Sequence, residues 1–303
     1  MNGNMSLSFE KRGLKTVMMH DRSTVPLKVS NPIYLDDTGA LCVMLLNPTG
    51  GLLGGDRLVT DINLAENAHV ILTTPSASKV HRTNSDPVSH QTSIQVGKNA
   101  VLEYVPDHVI PHPGSCFSQS LIVKLAHGSR AIIFDGFSVG RIARDEKWCF
   151  TEFNTNLEVN LYDRLVFRDR IKIQPKNWTP SNLGSLESAN YVGTILVYAD
   201  AEVDWQEMAG TFDQALLGDS ETVGAASTLS DGGCIVRYHT ASANGLSKTF
   251  TKLWAMARSS LLDSPALELR NRCFYRRKHL NMRGGGRRAT NPCRPVWYLE
   301  VAN

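Results

Sequence analysis

The stretch LAENAHVILTT, residues 64–74, begins with a polar turn, passes through Ala68 and ends in an apolar run. Two later stretches repeat that order: VGKNAVLEYV (96–105) and LAHGSRAIIFDG (125–136). Their alanines, Ala68, Ala100 and Ala131, fall at intervals of 32 and 31 residues. Repeats of roughly 20–50 residues point to stacked coils, because one unit cannot bury its apolar face alone. Ordinary hairpins with similar turns are the other reading of the same stretches.

Around these units the dominant period is two. Leu121, Val123 and Leu125 alternate with Ser120, Ile122 and Lys124; Leu157, Val159 and Leu161 alternate with Glu158, Asn160 and Tyr162. Ile171 and Ile173 alternate likewise with Arg170 and Lys172. Such alternation describes half-buried β-strands. Two segments change to a helical period. Residues 201–217 place Trp205, Met208, Phe212 and Leu216 on one face, with Asp200 as the expected N-cap. Residues 248–262 do the same with Phe250, Leu253, Trp254 and Leu261, after Ser247 as cap, and Asp263-Ser264-Pro265 stops them. Residues 179–187 and 217–233 are polar and Gly/Ser-rich, so they read as loops. The expected fold is mainly β, a β-helical, stacked-strand body covering residues 1–264 with two α-helices over it. Residues 265–303 form a basic tail expected to be mobile.

Composition excludes several classes. A 303-residue chain with 42% hydrophobic and 20% charged residues can build a core and is not a disordered chain. Net charge is only +3, too little for a whole-protein nucleic-acid binder. The basic excess is local, with nine Lys/Arg between Arg270 and Arg294. Six scattered cysteines without paired spacing are no disulfide framework and fit a reducing compartment. Neither a signal-peptide core at the N-terminus nor an apolar run of membrane length is visible, so the expected location is the cytoplasm, without membrane contact.

Four segments could carry chemistry. NPTGGLLGGDR (47–57) has two glycine pairs, but Asp56-Arg57 stands where a phosphate loop needs Lys-Ser/Thr. ILTTPSASKVHRT (71–83) runs from hydroxyls, including Thr73, Thr74 and Ser76, to Lys79 and His81, without a nucleophile-elbow context. LEYVPDHVIPHPGSC (102–116) offers Glu103, His108, His112 and Cys116, yet its prolines forbid the helix that would align the two histidines. In a loop, those imidazole, carboxylate and thiol groups could still serve a borderline metal such as nickel. DGFSVGRIARDEKWCF (135–150) begins at Asp135 and carries Arg141. For each segment a structural turn or capping role is the plain alternative.

Taken together and in this order, the four segments resemble the urease accessory protein UreD family, called UreH in some systems, over roughly residues 30–262. The resemblance implies a β-helical body with two helices and a non-enzymatic role as a maturation scaffold. It implies partners: apo-urease, a UreF-like protein and a UreG-like GTPase, with a homodimer of the whole complex as one arrangement. It implies no tightly bound cofactor, only transient nickel passed to the urease active site along an interior polar path. The motif-matching candidates for that path are Asp56, Glu103 and Asp135, with His81, His108, His112 and Cys116 as further metal ligands. Thr73, Thr74 and Ser76 would line it, and Arg57, Lys79 and Arg141 would pair with its acids. Asp56 and Glu103 are expected to line it together. Two competing functions remain: a β-rich nucleic-acid binder using the basic tail, and a metal-assisted hydrolase using residues 103–116. A Pro-rich ending with Trp297 is similar to the family's, but the basic segment before it departs from the pattern.

Overall fold

A computed structural model of the chain describes residues 1–84, 86–177, 189–267 and 269. The chain divides into two units, Met1–Glu268 and Leu269–Asn303. The second, with the expected basic tail, lies outside the described residues apart from Leu269, as does the expected loop 179–187.

The first unit is mainly β, a solenoid of about four turns with two helices. Strands β1 (Asn2–Arg12) and β2 (Lys15–Ser23) form a hairpin, and β3 (Lys28–Val29) leads into β4 (Leu41–Leu46). From there the chain winds. β5 (Arg57–Leu64) lies parallel beside β1, and β6 (His69–Thr73) parallel beside β4. After the short β7 (Ser78–Val80), β8 (Val88–Val96) lies beside β5 and β9 (Val101–Tyr104) beside β6. A third winding brings β10 (Val109–Pro111), then β11 (Cys116–Leu125) beside β8 and β12 (Arg130–Ser138) beside β9. The small ladder of β13 (Gly140–Arg141) with β14 (Glu146–Lys147) precedes β15 (Glu152–Leu161), parallel to β11. Antiparallel pieces follow: β16 (Arg164–Ile173) on β15, then β17 (Tyr191–Ala199) on β12. Helix α1 (Trp205–Leu217), β18 (Thr222–Thr228), β19 (Cys234–Thr240) and α2 (Ala243–Leu262) complete the unit. Beside the β13-β14 ladder, two large sheets result among the described residues, in the orders β16-β15-β11-β8-β5-β1-β2 and β18-β19-β17-β12-β9-β6-β4-β3, with β10 and β7 branching from β12.

The stacked-coil reading therefore holds, with one adjustment to its repeat. His69 pairs with Val101, and Val101 with Arg130. In that register Ala68 and Ala100 align with Ser129, so Ala131 stands two residues out of phase. The aligned turns use left-handed residues, Asn67 (φ 60°), Asn99 (φ 54°) and Gly128 (φ 69°), each followed by a small buried residue. A left-handed turn with a small side chain inside lets the chain change direction at each coil corner without lifting the sheets apart.

The inner faces of both sheets form one apolar core. Leu58, Ile94, Val123 and Val159 from the first sheet meet Leu72, Leu102, Ile133 and Leu196 from the second. Each such side chain contributes ~1.5–3 kcal/mol by leaving water. The second sheet is covered on its outer face as well. There Phe212, Leu253, Trp254 and Ala257 of the helices are buried, with Ile132, Phe134 and Ile195 from the strands. That second cover explains why YVGTILVYA of β17 is buried almost end to end rather than alternately.

Three local expectations are corrected. Asp204, not Asp200, caps α1, accepting from the Glu207 N–H at 2.9 Å. Ser242, not Ser247, caps α2, accepting from the Gly245 N–H at 3.0 Å, so this helix begins five residues earlier than its apolar stripe suggests. The expected loop 217–233 contains β18, paired along its length with β19. No helix among the described residues is long and apolar enough to cross a membrane.

Candidate functional site

The four segments singled out above come together as the third side of the coil. Leu52 bridges to Val80, Ser78 and Val80 pair with Val109 and Pro111, and Val109 pairs with Phe137. Backbone bonds hold the column: Leu52 N–H to the Lys79 carbonyl (2.8 Å), Ser78 N–H to His108 (2.9 Å), His112 N–H to Val80 (2.9 Å). Each segment contributes one rung, which is why they share an order and a spacing.

Behind this column lies a cavity of about 180 Å³ between the two sheets. Thr74, Ser76, Lys79, Gly50 and Gly51 line it on the column side, where Ser76 and Lys79 are exposed. Its inner wall holds His90, Tyr104, Gln119 and Asp135. These inner groups follow from strand register. His90 sits opposite Gln119, and Gln119 opposite Thr155, so β8, β11 and β15 place one polar row across a largely apolar face, beside the buried pair Thr60 and Thr92. Gln119 donates to the Asp135 carboxylate across the sheets at 3.4 Å.

The enclosure shifts these groups. Burial, reinforced by the negative charge of Asp169, lifts the Asp135 carboxyl to about 6; hydrogen bonds from Gln119, the Gly136 N–H and Thr155 hold it back. Burial pushes His90 down to about 4, so its imidazole is neutral at pH 7. The Tyr104 phenol is driven above its ordinary range by burial and then by Asp135. Beyond Asp135, Asp169 of β16 pairs at 2.6 Å with Arg237 of β19, spanning the two sheets. The interior thus carries a polar seam from the column to this ion pair.

The other sequence candidates lie elsewhere. Glu103 points to the opposite face of β9, fully buried under α2. Its carboxylate accepts from His69 Nε2 (2.7 Å), Trp254 Nε1 (2.7 Å) and Arg258, which also reaches Asp36 at 2.9 Å. Asp56 accepts from the Leu53 N–H at 2.8 Å and from the Met1 amino group, closing its own glycine turn. Neither lines the cavity, so the two carboxylates expected to share one path do not: Glu103 pins a helix and Asp56 pins a turn. Thr73 faces outward and donates to the Val105 carbonyl at 2.8 Å. Arg57 pairs with Asp86 and Arg141 with Glu146, rather than with the expected acids. His108 bonds Asp107 at 2.8 Å and stands edge-on to Tyr191. Cys116 begins β11 opposite Glu152, and burial raises its thiol pKa. His81 and His112 meet on the column itself, ring centroids 4.7 Å apart. Burial, then the charge of Arg141, holds His112 down at about 4. Among the described residues no three His, Cys, Asp or Glu side chains gather into a ready-made metal centre.

His90, Gln119 and Thr155 were not among the candidates, although a signal for them exists. In CFSQSLIVKL and EFNTNLEVNL, Gln119 and Thr155 each stand between apolar, buried alternate neighbours; in VSHQTSIQV, His90 stands between buried Val88 and buried Thr92. A polar residue in the apolar phase of three strands becomes meaningful only once register places all three in one row.

The family model described as UreD urease accessory protein matches residues 1–273. Proteins described as urease accessory protein UreD are similar over most of the chain. One from Haloarcula marismortui is 30% identical, covering 88% of this chain and 89% of its own. Another from Microcystis aeruginosa is also 30% identical, covering 88% and 96%. A third, from Lachnoclostridium phytofermentans, is 32% identical, covering 65% and 72%. With the motif column, the solenoid and these matches together, the chain belongs to the UreD urease accessory protein family.

Proposed function

We propose that this protein is a urease maturation scaffold, not an enzyme, that passes nickel through its interior to apo-urease, held by UreF-like and UreG-like partners in the cytoplasm. The observation that carries the reading is the polar seam. A row of His90, Gln119 and Thr155 facing Asp135 costs stability in an apolar core, since each polar group must be desolvated. Nothing in packing requires it. For a hydrated dication the same row offers neutral oxygen and nitrogen donors and one carboxylate that ionises as the ion arrives. Several weak sites in series let an ion enter and leave, whereas one tight site would hold it.

The test uses purified partners, apo-urease, nickel and GTP. Asp135→Ala with Gln119→Leu should lower urease activation at least tenfold while the variant still co-purifies with its UreF-like partner. Full activation by that double variant would sink the reading.

A further inference from the structure

On the column, His81 and His112 occupy successive coils: Val80 pairs with Pro111, and each histidine follows by one residue. Their rings stand at 84° to one another with centroids 4.7 Å apart. A metal–imidazole bond of about 2.1 Å sets a ring centroid about 3.2 Å from the ion, so two cis ligands at a right angle have centroids roughly 4.5 Å apart. The observed centroid separation of 4.7 Å is close to that value.

Gly51 connects this pair to the cavity. It lines the cavity wall, and a Cβ placed on it would lie 2.6 Å from His81 Nε2 and 2.9 Å from the Lys79 carbonyl oxygen. Its φ of +148° also suits glycine alone. The absence of a side chain at position 51 thus leaves the His81 ring edge against the cavity wall. Two cations stand nearby, Lys79 and Arg141. Arg141 is already held by both oxygens of Glu146. The remaining positive charge of Lys79 weakens cation binding without abolishing it.

From this geometry we propose that His81 and His112 form a two-imidazole capture site for nickel on the column, on the far side of Gly51 from the cavity, water filling the other coordination positions. The proposal rests on the nickel-passage reading and names where the ion is first held. Imidazole nitrogen suits nickel, and two protein ligands beside a cation give the modest affinity that onward transfer needs.

Equilibrium dialysis of the full-length protein against Ni²⁺ alone, with nickel X-ray absorption, tests the pair apart from urease activation. The wild type should bind nickel with an imidazole scattering signature. His81→Gln with His112→Gln should weaken binding at least tenfold and remove that signature, while thermal melting reports whether the variant is folded. Should the double variant fail to fold, His81→Gln alone, at the less buried ring, should lose at least half the imidazole signature and weaken binding several-fold. Wild-type affinity and an unchanged imidazole signature in the histidine variants would overturn the capture site. That outcome differs from failure of the passage reading, which shows as full urease activation by the Asp135 and Gln119 variant.

Discussion

Asp135 is the acid of the polar seam, and its burial carries a cost that depends on pH. Its carboxyl titrates near 6 in the folded chain against an ordinary 3.8. Between those values the folded state keeps a proton that the unfolded state has released, so stability falls as pH rises from about 4 through about 6. That rise corresponds to about 3 kcal/mol at pH 7. Asp135→Asn should therefore be more stable than the wild type at pH 7.5, by up to ~3 kcal/mol, and equal to it near pH 3.5. Urea unfolding at both pH values checks this. His90 slopes the other way, since its folded pKa of about 4 lies below the ordinary 6.5 and its stabilisation is lost on acidification. It is present in both proteins, so it cancels in the difference. Legibility at this scale depended on what a residue faces. Asp135 stands out in its motif, and the structure places it on the cavity wall. Glu103, equally acidic and equally placed in a motif, is not there, which the sequence hides because its facing partners Trp254 and Arg258 lie 151 and 155 residues away.

At the level of elements, the coil corners decide how closely the windings stack. Gly128 takes φ 69°, and a Cβ there would stand 2.2 Å from the Asn99 side-chain oxygen of the coil below. Gly128→Ala should cost about 1–2 kcal/mol, read as a lower urea midpoint with unchanged slope. The same scale shows why some elements were missed. The helix starts were displaced because Asp200 and Ser247 looked as suitable for capping as Asp204 and Ser242, and only the bonded N–H distinguishes them. Strand β18 reads TVGAAST, too small and too uniform to show alternation; pairing with β19 and packing against α1 make it a strand. By contrast β11 and β15 were plain in the sequence, since one face meets the core and the other meets water.

Taken as a whole molecule, the solenoid was legible because its repeat is written in the turns rather than in the strands. Asn67-Ala68 and Asn99-Ala100 share residues; Gly128-Ser129 shares only their backbone geometry, which is how the third alanine came to be misaligned. The seam was hidden for a related reason: it runs across coils, perpendicular to the chain, where no window along the sequence can see it. The stack also has ends. Parallel strands β1, β5, β8, β11 and β15 could in principle continue indefinitely, each edge being a template for the next coil. Here antiparallel β2 closes one side and antiparallel β16 the other, with charges along both: Lys15, Asp21 and Arg22 on the first, Arg164, Arg168 and Arg170 on the second. A reversed, charged strand cannot present the in-phase backbone that another copy's coil would need. Polymerisation is thereby blocked at the first step of growth. A chain lacking residues 1–23 would lose both β1 and that barrier, baring β5 as a parallel edge, and should elongate into fibrils detectable by light scattering and thioflavin fluorescence where the full chain stays dispersed.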